Sequence, residues 1–123
     1  MSADRTQDLR VLDGRYVIEH SDDSGAPTPG SDWLALVFGP DGVTGIRRAR
    51  DRVSEAWAAL WTGDHPHDPQ ATGMLSAIVE PLAAAKVPVM VASTFHADLV
   101  LVPEGRLQDA VDALRDAGHR VVG

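Results

Sequence analysis

Val89-Met90-Val91-Ala92-Ser93-Thr94-Phe95-His96-Ala97-Asp98-Leu99-Val100-Leu101-Val102 is two apolar runs of strand length around a short polar turn. The Ser93–Ala97 connection is too short for the crossover that parallel strands need, so the runs pair as an antiparallel hairpin. The first strand begins at Val87 and the second runs over Asp98–Val102. Upstream, Gly73 to Lys86 carries Met74, Leu75, Ile78, Val79 and Leu82 at the i, i+1, i+4, i+5, i+8 spacing of an amphipathic helix. Pro81 stands late in that helix, where it removes the bond to the Ala77 carbonyl and bends the last turn. Before it, Trp57-Ala58-Ala59-Leu60-Trp61 reads as a strand and Gly63–Thr72 as a loop containing Pro66 and Pro69. Downstream, Pro103-Glu104 opens a second helix with Leu107, Val111 and Leu114 inward, and Arg106, Asp109, Asp112 and Arg115 outward. Gly118 caps its end, and His119–Val122 is a final strand. The order over residues 55–123 is therefore βαββαβ, an α+β unit. The split βαβ rule closes it as a four-stranded antiparallel sheet with both helices on one face.

Residues 1–54 are less regular. A strand is expected near Arg15–Glu19, with a looser start before it. His20–Ser31, with Pro27 and Pro29, is a loop by composition. Trp33–Phe38 is a continuous apolar run, Gly39-Pro40-Asp41-Gly42 is a tight turn, and Val43–Arg48 alternates as the return strand of a hairpin. A helix beginning near Gly45 is the competing reading of that last stretch.

A chain of 123 residues suits one compact domain, or two very small ones sharing a core. The net charge of −7 and the absence of a basic cluster larger than Arg47-Arg48-x-Arg50 argue against a nucleic-acid partner. With no Cys, disulfides, thiolate metal sites and Cys nucleophiles are excluded. Met1–Asp8 has no apolar stretch like that of a signal peptide, and no run is long enough to cross a bilayer, so a cytoplasmic location is expected. Asp64-His65-Pro66-His67-Asp68 invites a metal reading, but no third His stands nearby apart from His96, and an ordinary polar loop is favoured. Ser93, Thr94 and His96 share one turn without a nucleophile elbow, so catalysis is not expected. Trp33, Trp57 and Trp61 belong to a core or an interface, since no basic residues surround them as on a base-stacking platform.

Gly73-Met74-Leu75-Ser76-Ala77-Ile78-Val79-Glu80-Pro81-Leu82 resembles the first helix of the CASTOR-type ACT family, written Gly-x-apolar-x-x-x-x-x-Pro-Leu. Val89–Val102 is similar to that family's hairpin, whose turn reads Ser-Thr-aromatic-x-x-Asp, and Arg106–Ala110 with Leu114 fits its second helix. His96-Ala97 depart from the residues the family usually carries there. The resemblance is dense over the second half and loose over the first. It implies tandem ACT-like halves of ferredoxin-like fold: an incomplete one over 1–54 and a complete one over 55–123. It also implies a non-catalytic regulatory module that binds a small amino acid without a cofactor; eukaryotic relatives sense arginine.

An amino acid needs donors for its carboxylate and acceptors for its ammonium. Thr72, Gly73 and Met74 open a helix whose free N–H groups and positive dipole end suit a carboxylate. Asp98, on the hairpin that most resembles the family's ligand hairpin, faces a cationic group. The plainer roles are close packing at Gly73 and turn capping at Asp98. The two lie at opposite ends of their half, so another half or subunit must supply a wall. Thr44, Gly45 and Ile46 are the candidates, through backbone groups. A homodimer is expected, because so small a module rarely covers both sheet faces alone. The alternative function is a ligand-free interaction module that dimerises through an open sheet edge such as that near Val121.

Overall fold

The computed structural model describes residues 5–22, 32–50, 53–68 and 70–123. Most of the proline-bearing loop expected over residues 20–31, the first residues of the polar start, and Pro69 lie outside them. The elements are β1 (Asp8–Val11), β2 (Tyr16–Ser21), β3 (Trp33–Gly39), β4 (Gly42–Arg48), β5 (Trp57–Trp61), α1 (Met74–Ala84), β6 (Met90–Ser93), β7 (Asp98–Pro103), α2 (Leu107–Asp116) and β8 (Arg120–Val122). A 3₁₀ turn over Glu104–Arg106 leads into α2. The helix considered near Gly45 does not form: β4 pairs with β2 from Tyr16↔Arg48 to Ser21↔Val43.

All eight strands join one mixed sheet. β5, β6 and β7 pair as the βαββαβ order demands, β7 lying antiparallel to both neighbours. The fourth strand of that unit departs from expectation. β8 does not reach β5. The four residues of β1 stand between them, antiparallel to β5 and parallel to β8. The second half is thus not a closed four-stranded antiparallel sheet, because the N-terminal strand occupies the slot beside β5. β2 continues along the same edge of β5 at Tyr16↔Trp57 and carries β4 and β3 outward.

Strand alternation sorts the side chains into two cores. On the helical face, Leu9, Leu60, Val100, Val102 and Val121 meet Ile78 and Leu82 of α1 and Leu114 of α2. On the other face, Ala59, Leu99 and Leu101 meet Tyr16 and Ile46, with Trp57, Trp61, Met90 and Ala35 packed around them. β7 is buried on both faces from Asp98 to Val102, which explains its continuous apolar run. Removing a Leu or Ile side chain from water contributes about 1.5–3 kcal/mol, so these two clusters carry most of the driving force for folding.

Both helices end in Schellman closures. After α2, Gly118 (φ 100) follows the cap, its N–H bonds Arg115 O and the His119 N–H bonds Leu114 O. After α1 the same bonds form around Lys86 (φ 59), with the Lys86 N–H on Ala83 O and the Val87 N–H on Leu82 O. This closure consumes Val87, and β6 starts only at Met90, later than the apolar run suggests. Arg106 holds the same corner, donating to Lys86 O and Ala85 O.

Candidate ligand site

The hairpin β3–β4 reaches over the non-helical face of the sheet without filling the space beneath it. A cavity of about 320 Å³ remains. Its floor is Trp61 of β5 and Leu99 of β7. Leu12 lies beyond the end of β1, Leu34 and Ala35 come from β3, and Ala92, Ser93 and Thr94 come from the end of β6 and its turn. One charged residue lines it, Arg10, which stands opposite Trp61 in the sheet. Its place follows from alternation along β1: Leu9 enters the helical core and Arg10 takes the other face.

Arg10 is held by Asp64 in a forked pair, Nε donating to Oδ2 at 2.6 Å and Nη2 to Oδ1 at 3.2 Å. The hydrogen bond to Asp64 raises the guanidinium pKa, and the same bond lowers that of the Asp64 carboxyl. Both side chains are more than two-fifths exposed, so the pair adds little stability. It does fix the guanidinium's direction. Nη1 engages no described residue, so that edge of the fork remains for a second anion.

Ser93 contributes backbone to this cavity. Its hydroxyl is turned to the opposite face, donating to Asp98 Oδ1 at 2.7 Å. The Thr94 N–H bonds Ala97 O at 2.7 Å, so antiparallel alternation aims the Ser93 N–H and C=O away from β7. β6 has no other neighbour among the described residues, and these groups stand on an open strand edge.

The seven residues expected from sequence to bind a ligand lie in different places. Thr72, Gly73 and Met74 are at the start of α1, where Gly73 adopts φ 78. A Cβ there would press into the Arg5 guanidinium, and no side chain caps the helix. Asp98 lies on the helical face of β7, whereas Ile46 is buried in the core of the other face. Thr44 Oγ1 is 3.3 Å from His20 Nδ1. Gly45 lies beneath the Trp33 ring, in contact that a side chain would obstruct, and lines a shallower cavity of about 200 Å³ with His20 and Leu36. Neither of these two cavities is lined by Asp98 or Gly73.

Asp98 is 4% exposed. Its N–H donates to Thr62 Oγ1 and its C=O accepts from the Thr62 N–H, which secures β7 to the end of β5. Oδ2 lies 3.5 Å from His67 Nε2, and neither atom has a hydrogen-bond partner among the described residues. The His67 Nδ1–H donates to the Asp68 carbonyl at 3.1 Å. His65 turns instead to Asp8, 3.2 Å away. The two imidazoles of His65-Pro66-His67 therefore face different carboxylates. No group of three metal-binding side chains converges among the described residues. Within the 93–98 turn, Ser93 engages Asp98, Thr94 engages the backbone at Ala97, and His96 meets the Phe95 ring edge-on at 4.8 Å. No hydroxyl there is paired with an imidazole that could activate it.

Arg10, Leu12, Leu34 and Trp61 were not legible as site residues. Their only sequence signals were alternation on a four-residue strand and two Trp-bearing apolar runs.

The chain thus combines a mixed sheet, two helices on one face, and a cavity beneath a hairpin on the other. Residues 52–116 match the ACT domain, and the chain belongs to the ACT domain family. ACT domains are in general regulatory modules that bind small molecules, and a regulatory role follows for this chain. The fold is shared with two crystal structures. The protein Atu0741 from Agobacterium tumefaciens superposes with a TM-score of 0.81 at 22% identity, covering 96% of this chain and 94% of its own. VC0802 from Vibrio cholerae, described as a protein of unknown function and possible transport protein, gives 0.71 at 20% identity, with 89% of each chain covered. No described helix is long and apolar enough to cross a membrane.

Proposed function

We propose that this chain is a CASTOR-type ACT protein that reversibly binds a small amino acid and acts as a cytoplasmic, non-catalytic regulator. The observation that carries the reading is the cavity beneath β3, with one oriented guanidinium at its rim and apolar walls drawn from both halves of the chain. Because the walls come from separate segments, a bound ligand stabilises one arrangement of the hairpin against the sheet, a shift of population that a partner can read. A thermal-shift screen over the twenty amino acids tests it. At 100 times its dissociation constant a ligand adds about 2.7 kcal/mol, and no stabiliser at millimolar concentration defeats the proposal.

The alternative, an interaction module without a ligand, draws on the surface of β3, where Val37 and Phe38 are 54% and 65% exposed on an edge strand. Dimerisation through this edge is itself compatible with ligand binding, and a homodimer is proposed on either reading. Sedimentation at roughly 100 µM, well above weak-interface affinities, should then give twice the 13.1 kDa chain mass. A monomer excludes the dimer without touching the ligand reading.

A further inference from the structure

The geometry points to an amino acid with an uncharged, apolar side chain as the occupant of the cavity beneath β3, its carboxylate on Arg10 and its ammonium on the Ser93 carbonyl. This rests on the amino-acid reading above and narrows it.

Charge decides most of the argument. Arg10 is the one charged residue lining the cavity, and no carboxylate lines it. A ligand carboxylate fits the open Nη1 edge of a guanidinium already oriented by Asp64. A cationic side chain entering the same space would leave water and find no acid in the lining to offset that cost, since the Asp64 carboxylate beyond it is already engaged by Arg10. An acidic side chain would bring a third negative charge to a guanidinium already shared by Asp64 and the ligand carboxylate. What the walls offer instead is apolar surface from Leu12, Leu34, Trp61 and Leu99.

Backbone supplies the second polar contact. The Ser93 hydroxyl is committed to Asp98, but its carbonyl stands on the open edge of β6 at the cavity. An ammonium can donate to it as a neighbouring strand's N–H would. Size sets the last limit. A volume of about 320 Å³ lies at the small end of ligand sites and is enough for one amino acid.

Calorimetry with leucine, leucinamide and arginine tests this on the full chain. Leucine is expected to bind. Leucinamide, which lacks the carboxylate, should bind roughly 10- to 150-fold more weakly, the range of a lost charge-assisted hydrogen bond. Arginine should bind at least about tenfold more weakly than leucine. Arg10→Gln should weaken leucine by the same factor as the amide does, without weakening leucinamide further; the leucinamide comparison does not depend on how that variant folds. Arginine binding as tightly as leucine overturns the apolar assignment and leaves amino-acid binding standing. Equal affinity for leucine and its amide overturns the role of Arg10. No binding by any amino acid removes the underlying reading and this one with it.

Discussion

The two faces of the sheet are closed in different ways. On one, two helices lie flat and Ile78, Leu82 and Leu114 reach zero exposure against Leu60 and Val100. On the other, a hairpin leans over Ala59, Leu99 and Leu101, leaves a cavity beneath it, and exposes Val37 and Phe38 outside. The helical face resembles a finished interior, packed like an organic solid. The hairpin face retains unfilled apolar space, which costs stability but can be recovered when a ligand occupies it. The difference separates the face that holds the fold from the face on which the proposed ligand would sit.

Truncation in each core tests that separation most strongly. Ile78→Ala should cost about 2–5 kcal/mol and unfold the whole chain cooperatively, whereas Ile46→Ala should fall near the bottom of that range, because its surroundings can settle into space already present. Denaturant titration gives both numbers. A larger loss at Ile46 than at Ile78 would reverse the comparison. A smaller effect is expected at His119, which ties the first strand to the helical face. Its Nδ1 accepts from the Gln7 N–H at 3.0 Å and its Nε2–H donates to Ala77 O at 2.8 Å. His119→Ala leaves those groups without their partner and should cost about 1–3 kcal/mol. Faster amide exchange should be confined first to β1 and β8, and uniform loosening would deny the ring its role as a local tie. The smallest effect belongs to Ser76→Ala on the exposed side of α1, within about 0.5 kcal/mol. A cost there comparable to Ile78→Ala would discredit the helix orientation itself.

How much of this could be read from the residues depended on the range of the interactions. The α1 stripe, the β6–β7 hairpin and the inward face of α2 follow from local periodicity; the structure buries Ile78, Leu82, Val111 and Leu114 as that periodicity requires, but leaves Leu75 of the same stripe exposed. The 33–48 hairpin follows from turn chemistry around Pro40-Asp41-Gly42. Two features resisted. Lys86 takes a left-handed turn usually occupied by Gly, so the strand after it begins later than its apolar run suggests. The insertion of β1 depends on partners remote in sequence, and Asp8 and Arg10 make so short a strand look like polar lead-in. The cavity was less legible still, because its lining comes from five strands or their ends and no one segment carries its signature. Asp98 stood out in the sequence, and in the structure its backbone secures β7 while its carboxylate lies buried beside His67.

The position of β1 also sets a constraint on assembly during synthesis. The strand that separates β5 from β8 is made more than a hundred positions before its parallel partner, paired at Asp8↔Arg120. The Gln7–His119 bond alone spans 112 positions. Until that late segment emerges, one side of β1 has no partner, and loop-closure entropy favours earlier, local hairpins over this contact. The nascent chain is therefore expected to acquire its β3–β4 and β6–β7 hairpins first and to seal β1 against β8 in a single late step.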